Sequence, residues 1–138
     1  DRVVSSTGTI TLTSPASKVQ VGYRYPSDGQ MLRQDVGAAD GTAQGKYQRT
    51  HRVNVRVHDT LGMKFGAGFH TSGPGKLTEK VVRTSAVPGD TMVPLESGDI
   101  EISWEGTYTK DNYVTWRNDS MFPGTILAVM PQLHTQDR

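Results

Sequence analysis

Four stretches of this chain alternate apolar and polar residues with period two, a pattern that commits it to half-buried β-strands. The most regular is 52–58, where Val53, Val55 and Val57 share one face and Arg52, Asn54, Arg56 and His58 the other. In 99–105, Ile100, Ile102 and Trp104 oppose Asp99, Glu101, Ser103 and Glu105. In 18–25, Val19, Val21, Tyr23 and Tyr25 oppose Lys18, Gln20, Gly22 and Arg24. Residues 9–13 interleave Ile10 and Leu12 with three threonines. Two further strands are expected at 112–117, rich in strand formers, and at 126–130. The latter is continuously apolar between Pro123-Gly124 and Pro131, as expected of a central strand covered on both faces.

Turn chemistry sets these segments close together. Asp59-Thr60-Leu61-Gly62 has the residues of a type I turn and predicts a hairpin returning through 63–65. The polar stretch 106–112 joins two segments able to pair antiparallel. No stretch of about 11–18 residues carries a helical period. The expected fold is an antiparallel β-sandwich, immunoglobulin-like or jelly-roll-like. Two long loops, 26–48 and 66–91, interrupt it, and the first is expected to hold a short helix near 43–48. At 138 residues the chain suits one domain, 1–138, with a core of ordinary size. It starts at Asp1 and enters a strand pattern at once, which predicts a domain cut from a longer polypeptide.

The search for chemistry yields little. The chain has no cysteine, so it has neither a thiol nucleophile nor a cysteine-based zinc site. His51, His58, His70 and His134 form no ligand-spaced pair, so they read as surface or locally bonded histidines. Glu101 and Glu105 share a strand face ~13 Å apart, wider than the roughly 5–9.5 Å that glycosidase carboxylates span. Gly66-Ala67-Gly68 does not continue into a dinucleotide fingerprint, and Gly73-Pro74-Gly75-Lys76 lacks the spacing of a phosphate loop. No Gly-x-Ser-x-Gly elbow is present. Asn118-Asp119-Ser120 fits a glycosylation sequon, a triplet common by chance. The reading is therefore of a protein without catalytic, cofactor-binding or metal residues.

Surface remains. Lys46, Arg49, Arg52 and Arg56 form a basic cluster entering the best strand, and Asp99, Glu101 and Glu105 an acidic stripe on another. If the strands are neighbours, the charges pair across one sheet face. If they lie apart, they would dock one copy onto the next. Fifteen Lys and Arg against fourteen Asp and Glu leave a net charge of +1, which argues against a dedicated nucleic-acid binder. The longest apolar run, 126–130, is too short to span a bilayer, so no membrane segment is expected.

Four stretches in order carry a resemblance. They are Val19-Gln20-Val21-Gly22-Tyr23-Arg24-Tyr25; Gly41-Thr42-Ala43-Gln44-Gly45-Lys46; Arg52-Val53-Asn54-Val55-Arg56-Val57-His58-Asp59-Thr60-Leu61-Gly62-Met63-Lys64-Phe65-Gly66; and Pro123-Gly124-Thr125-Ile126-Leu127-Ala128-Val129-Met130-Pro131-Gln132-Leu133. Together they resemble the C-terminal region of the tail nozzle proteins of short-tailed bacteriophages, also called tubular protein B or packaged-DNA stabilisation proteins. Tyr23-Arg24-Tyr25 replaces that family's usual apolar-Pro-Tyr, Gln132 stands where an acidic residue is common, and 69–88 has no counterpart.

The resemblance implies a structural virion protein of the phage tail, a subunit of a hexameric ring that extends the DNA channel and retains the packaged genome. Its implied partners are further copies of itself, with tail adaptor or fibre proteins. Genomic DNA would pass without specific binding, and a near-neutral charge suits a conduit in which the duplex slides. Arg52, Asn54, Arg56, His58, Glu101 and Glu105 become candidates for subunit contacts. The alternative is a receptor- or carbohydrate-binding β-sandwich of a tail fibre or extracellular protein. Trp104, Trp116, Tyr108 and Tyr113 would supply its aromatic platform, although Trp104, alternating with acidic residues, reads as core.

Overall fold

The computed structural model describes residues 3–17, 19–35, 37, 41–68, 77–79, 93–104 and 106–136. Among these the chain is all-β and without helix. Its strands are β1 (Ser27–Gln30), β2 (Tyr47–Thr60), β3 (Lys64–Gly66), β4 (Thr78–Glu79), β5 (Glu96–Ser103), β6 (Thr115–Asn118) and β7 (Thr125–Gln136). They form two antiparallel sheets, one in the order β1-β6-β3-β4 and the other β5-β2-β7.

The valine row explains how the sheets meet. Val53, Val55 and Val57 point inward from β2, with Ile102 and Ile100 opposite Val53 and Val55 on β5. Phe65 and Trp116, in register on β3 and β6, face them from the other sheet, with Val114, Met63 and Trp104 completing the cluster. Each fully buried aliphatic or aromatic side chain removes apolar area worth about 1.5–3 kcal/mol from water. The two layers are thus held chiefly by one shared core.

Strand β2 keeps its inner row over fourteen residues because two irregularities reset its phase. At His51, β2 has one residue more than β7, so Thr50 and Val53 both point inward although three positions apart. At His58–Asp59 the pairing with β5 shifts again, and Val57 and Thr60 both face in. Asp59 adopts the left-handed region (φ 44°), where Asp is tolerated better than most residues. Its N–H donates to Ser97 Oγ (2.9 Å), whose hydroxyl donates back to Asp59 Oδ1 (3.0 Å). Buried Thr60 then ties the end of β2 to the start of β7: its hydroxyl donates to Thr125 O and accepts from Thr125 N–H.

Several expectations need correction. The return after Gly62 (φ 77°) makes no hairpin: β3 pairs with β6 and β4, so the chain crosses between sheets there. Likewise 106–112 joins β5 to the opposite sheet rather than to a paired neighbour. Residues 43–48 form a turn running into β2, not a helix, with Lys46 N–H donating to Ala43 O. The loop 26–48 contains β1, and 66–91 contains β4, with most of the latter loop outside the described residues.

Residues 9–13 and the described part of 18–25 form no strand and belong to no ladder. Alternation shows that a segment can present one apolar face; it does not supply the neighbouring strand. The expected strand at 112–117 is the shorter β6, beginning at Thr115. Finally, 126–130 belongs to the edge strand β7, not to a central strand. Two β7 residues, 126 and 128, pair with consecutive Val57 and Arg56, so Leu127 bulges and lies 61% exposed. The run is continuously apolar because a bulge turns part of it to solvent.

Candidate functional site

Because Val53, Val55 and Val57 are buried, Arg52, Asn54, Arg56 and His58 are carried on the outer face of the β5-β2-β7 sheet. On the β5 side, Asn54 is opposite Glu101 and Arg56 opposite Asp99. Arg56 makes a two-pronged pair with Asp99, Nε to Oδ1 at 2.6 Å and a terminal nitrogen to Oδ2 at 2.8 Å. Arg52 reaches diagonally to Glu101, Nε to Oε1 at 3.2 Å. Arg52 and Arg56 of the basic cluster are therefore neighbours of Glu101 and Asp99 in the acidic stripe and pair with them within one face. Glu105 lies outside the described residues.

The Arg56 hydrogen bonds hold the Asp99 carboxyl below its ordinary pKa, while Asp99 raises that of Arg56. All four side chains of these two pairs are about half exposed, so water and salt screen them and each pair contributes little to stability. On the β7 side the same row meets neutral residues: Gln132, Met130, Ala128 and Thr125 lie opposite Arg52, Asn54, Arg56 and His58. This face is graded from acidic through basic to uncharged, and its Arg52 and Arg56 already have partners.

A second charged cluster sits on the outer face of the other sheet. Asp28, Arg117 and Lys64 lie in one cross-strand row. Arg117 binds Asp28 with both prongs at 2.7 Å. Asp119 Oδ2 accepts from Lys64 Nζ and from Arg24, each at 2.8 Å, and the backbone oxygen of Asp119 accepts from Arg24 Nε at 2.7 Å. Lys64 first, and Arg24 with it, hold the Asp119 carboxyl below its usual pKa, with burial opposing them. The Arg117 hydrogen bond lowers that of Asp28. Sequence reasoning missed this group, and no local signal announces it: its members come from three separated stretches, 24–28, 64 and 117–119, that meet only in the folded sheet.

One constellation has the residue types of a hydrolase. His58 Nδ1 lies 3.5 Å from Ser97 Oγ and His58 Nε2 lies 3.6 Å from Asp59 Oδ2. The geometry is wrong for activating the serine, because Ser97 gives its proton to Asp59, not to the imidazole, and all three groups are exposed at a bulge. The trio fastens the irregularity at the end of β2. Among the described residues no three His, Asp or Glu side chains are grouped as metal ligands. Among them, too, no helix is long and apolar enough to cross a membrane.

The sequon is turned to structural use. Asn118 Oδ1 accepts from Ser120 N–H and Oγ–H, while Asn118 Nδ2 donates to Phe122 O at 3.0 Å. The aromatics expected to form a platform are dispersed. Trp104 is core, as its alternation indicated, and Trp116 lies across Gly29, where a Cβ would come within 2.2 Å of its ring. Tyr113 accepts from Arg33 Nε, and Lys110 stands over the Tyr47 ring.

Compared with known proteins, the sequence matches no family model and no curated relative.

Proposed function

We propose that this chain is a non-catalytic structural domain of a short-tailed bacteriophage tail nozzle, a wall element of the ring through which packaged DNA is held and released. The observation that carries the reading is the ordered set of four stretches resembling that family. The two longest coincide with the structural frame: 52–66 runs through β2 into β3, and 123–133 leads into and along β7. Around that frame, the polar groups that would serve chemistry elsewhere are engaged in holding strands together. Ion pairs stitch β2 to β5 and β6 to its neighbours, and the Ser97–Asp59–His58 group secures a bulge.

On this reading the partners are further copies of the chain in a hexameric ring, with tail adaptor and fibre proteins, in the virion. DNA is a passenger: the near-neutral balance and the internal pairing of Arg52 and Arg56 suit a surface that does not grip a duplex. The carbohydrate-binding alternative has less support, since Trp104 is core, Trp116 lies over Gly29 and Tyr113 accepts from Arg33, which leaves Tyr108 alone of the four exposed without a charged neighbour among the described residues.

An antibody raised against residues 1–138 tests the assignment on phage particles that encode the chain. Gold label at the distal end of the short tail is expected. Label confined to the capsid or to fibre tips, or absent from purified virions, would overturn it.

A further inference from the structure

Segment 19–25 is exposed along its whole length and touches the body at two described points. Arg24 is held by Asp119, and Gly22 lies against Met121 so closely that a Cβ would stand 2.8 Å from Met121 Cβ. Its apolar residues are displayed to solvent: Val19 is 55%, Val21 77%, Tyr23 94% and Tyr25 68% exposed. Single exposed apolar residues are ordinary, but a row of four at strand spacing on an unpaired backbone is not.

A complementary defect lies elsewhere in the same chain. Strands β5 and β7 are the two edges of one sheet, yet their inner rows differ. Ile100 and Ile102 on β5 are buried, whereas Ile126, Val129, Pro131 and Leu133 on β7 are only half-buried. Among the described residues the inner row is covered along β5 and only half-covered along β7, on the sheet that has three strands against four. β7 carries no Asp, Glu, Lys or Arg in twelve residues, and the apolar row of 19–25 carries none, so bringing them together buries no formal charge.

We propose that segment 19–25 of one copy covers the open seam along β7 of a second copy, its valines and tyrosines continuing that strand's half-buried inner row. Two tyrosines bury about 150–250 Å² each. With the valines and the β7 row counted on both sides, the seam comes to roughly 1,000 Å², enough for a specific but modest interface. Pro131 has no N–H to offer and Leu127 bulges, so side-chain packing, with a broken backbone ladder, carries the contact. The inference rests on the surfaces of this chain and holds whether or not the assembly is a tail nozzle, because the contact is measured on residues 1–138 alone.

The absence of cysteine makes the test direct. Chains carrying Val21→Cys are mixed with chains carrying Leu133→Cys and oxidised, so that a mixed disulfide can form only between molecules. Mixed dimers are expected at least tenfold above a control pairing Val21→Cys with Ser103→Cys on the β5 edge. In sedimentation equilibrium, the exposed-site variant Tyr23→Ser/Tyr25→Ser is expected to weaken self-association at least tenfold without loss of its β circular dichroism. The proposal is overturned by a parent chain that stays monomeric to millimolar concentration, by a tyrosine variant that associates as tightly as the parent, or by cross-links confined to like pairs through Val21→Cys.

Discussion

Phe65 and Gly29 show how much of this fold rests on single positions. Phe65 is fully buried where the two sheets meet, so Phe65→Ala leaves a cavity and is expected to cost about 3–5 kcal/mol in denaturant unfolding. Gly29 is constrained by the opposite effect. Its cross-strand neighbour Trp116 lies over the bare Cα, and even Gly29→Ala must displace the indole, at a cost of about 1–3 kcal/mol with a shift in tryptophan emission. Unchanged stability and emission would mean that the ring does not occupy that place. Asp119 supplies the electrostatic case. Its folded-state pKa is depressed, so its contribution is fully present above the unfolded value near 3.8 and disappears as the pH falls through the lower folded value. Asp119→Asn is therefore expected to cost about 1 kcal/mol at pH 7, to approach the parent's stability as the pH falls through the depressed folded-state value, and to speed tryptic cleavage after Arg24. An equal difference above and below that value would assign the loss to packing instead.

Among the elements, β2 was the most legible in the sequence and also the most instructive where it was not. The valine row declared its buried face, because period-two alternation and burial are one geometric fact. The full length of β2 was hidden by its two phase resets, since a pattern reader loses the alternation at His51 and again at His58–Asp59. The reset at His51 makes a sharp prediction. Deleting His51 removes the extra residue while leaving Thr50 and Val53 on the same face, so a cooperative unfolding transition is expected to survive. Deleting Asn54 turns everything N-terminal to it inside out and is expected to abolish that transition, as followed by near-ultraviolet circular dichroism. Equal tolerance of both deletions would contradict the register. The continuous apolar run in β7 misled for a related reason: burial on two faces and a bulge on one produce the same string of letters. Segment 19–25 alternates as well as any strand, yet pairing is a property of neighbours and cannot be read from the segment alone.

At the scale of the molecule, the sequence disclosed two layers and a core but not how the chain moves between them. The turn at 59–62 and the polar stretch 106–112 look like connections between paired strands, whereas the strands that follow them, β3 and β6, lie in the opposite sheet. The charged pairs were half legible: Arg52, Arg56, Asp99 and Glu101 stood out by alternation, while the Asp119 cluster required the fold to exist first. With polar groups engaged internally and an apolar row left outside, the molecule reads as a part made to be assembled. The most direct measurement is native mass spectrometry with electron microscopy of the full-length protein encoded by the gene. A closed hexameric ring around an open channel is the predicted result. A monodisperse monomer at assembly concentrations, or a particle without a central channel, would contradict the account.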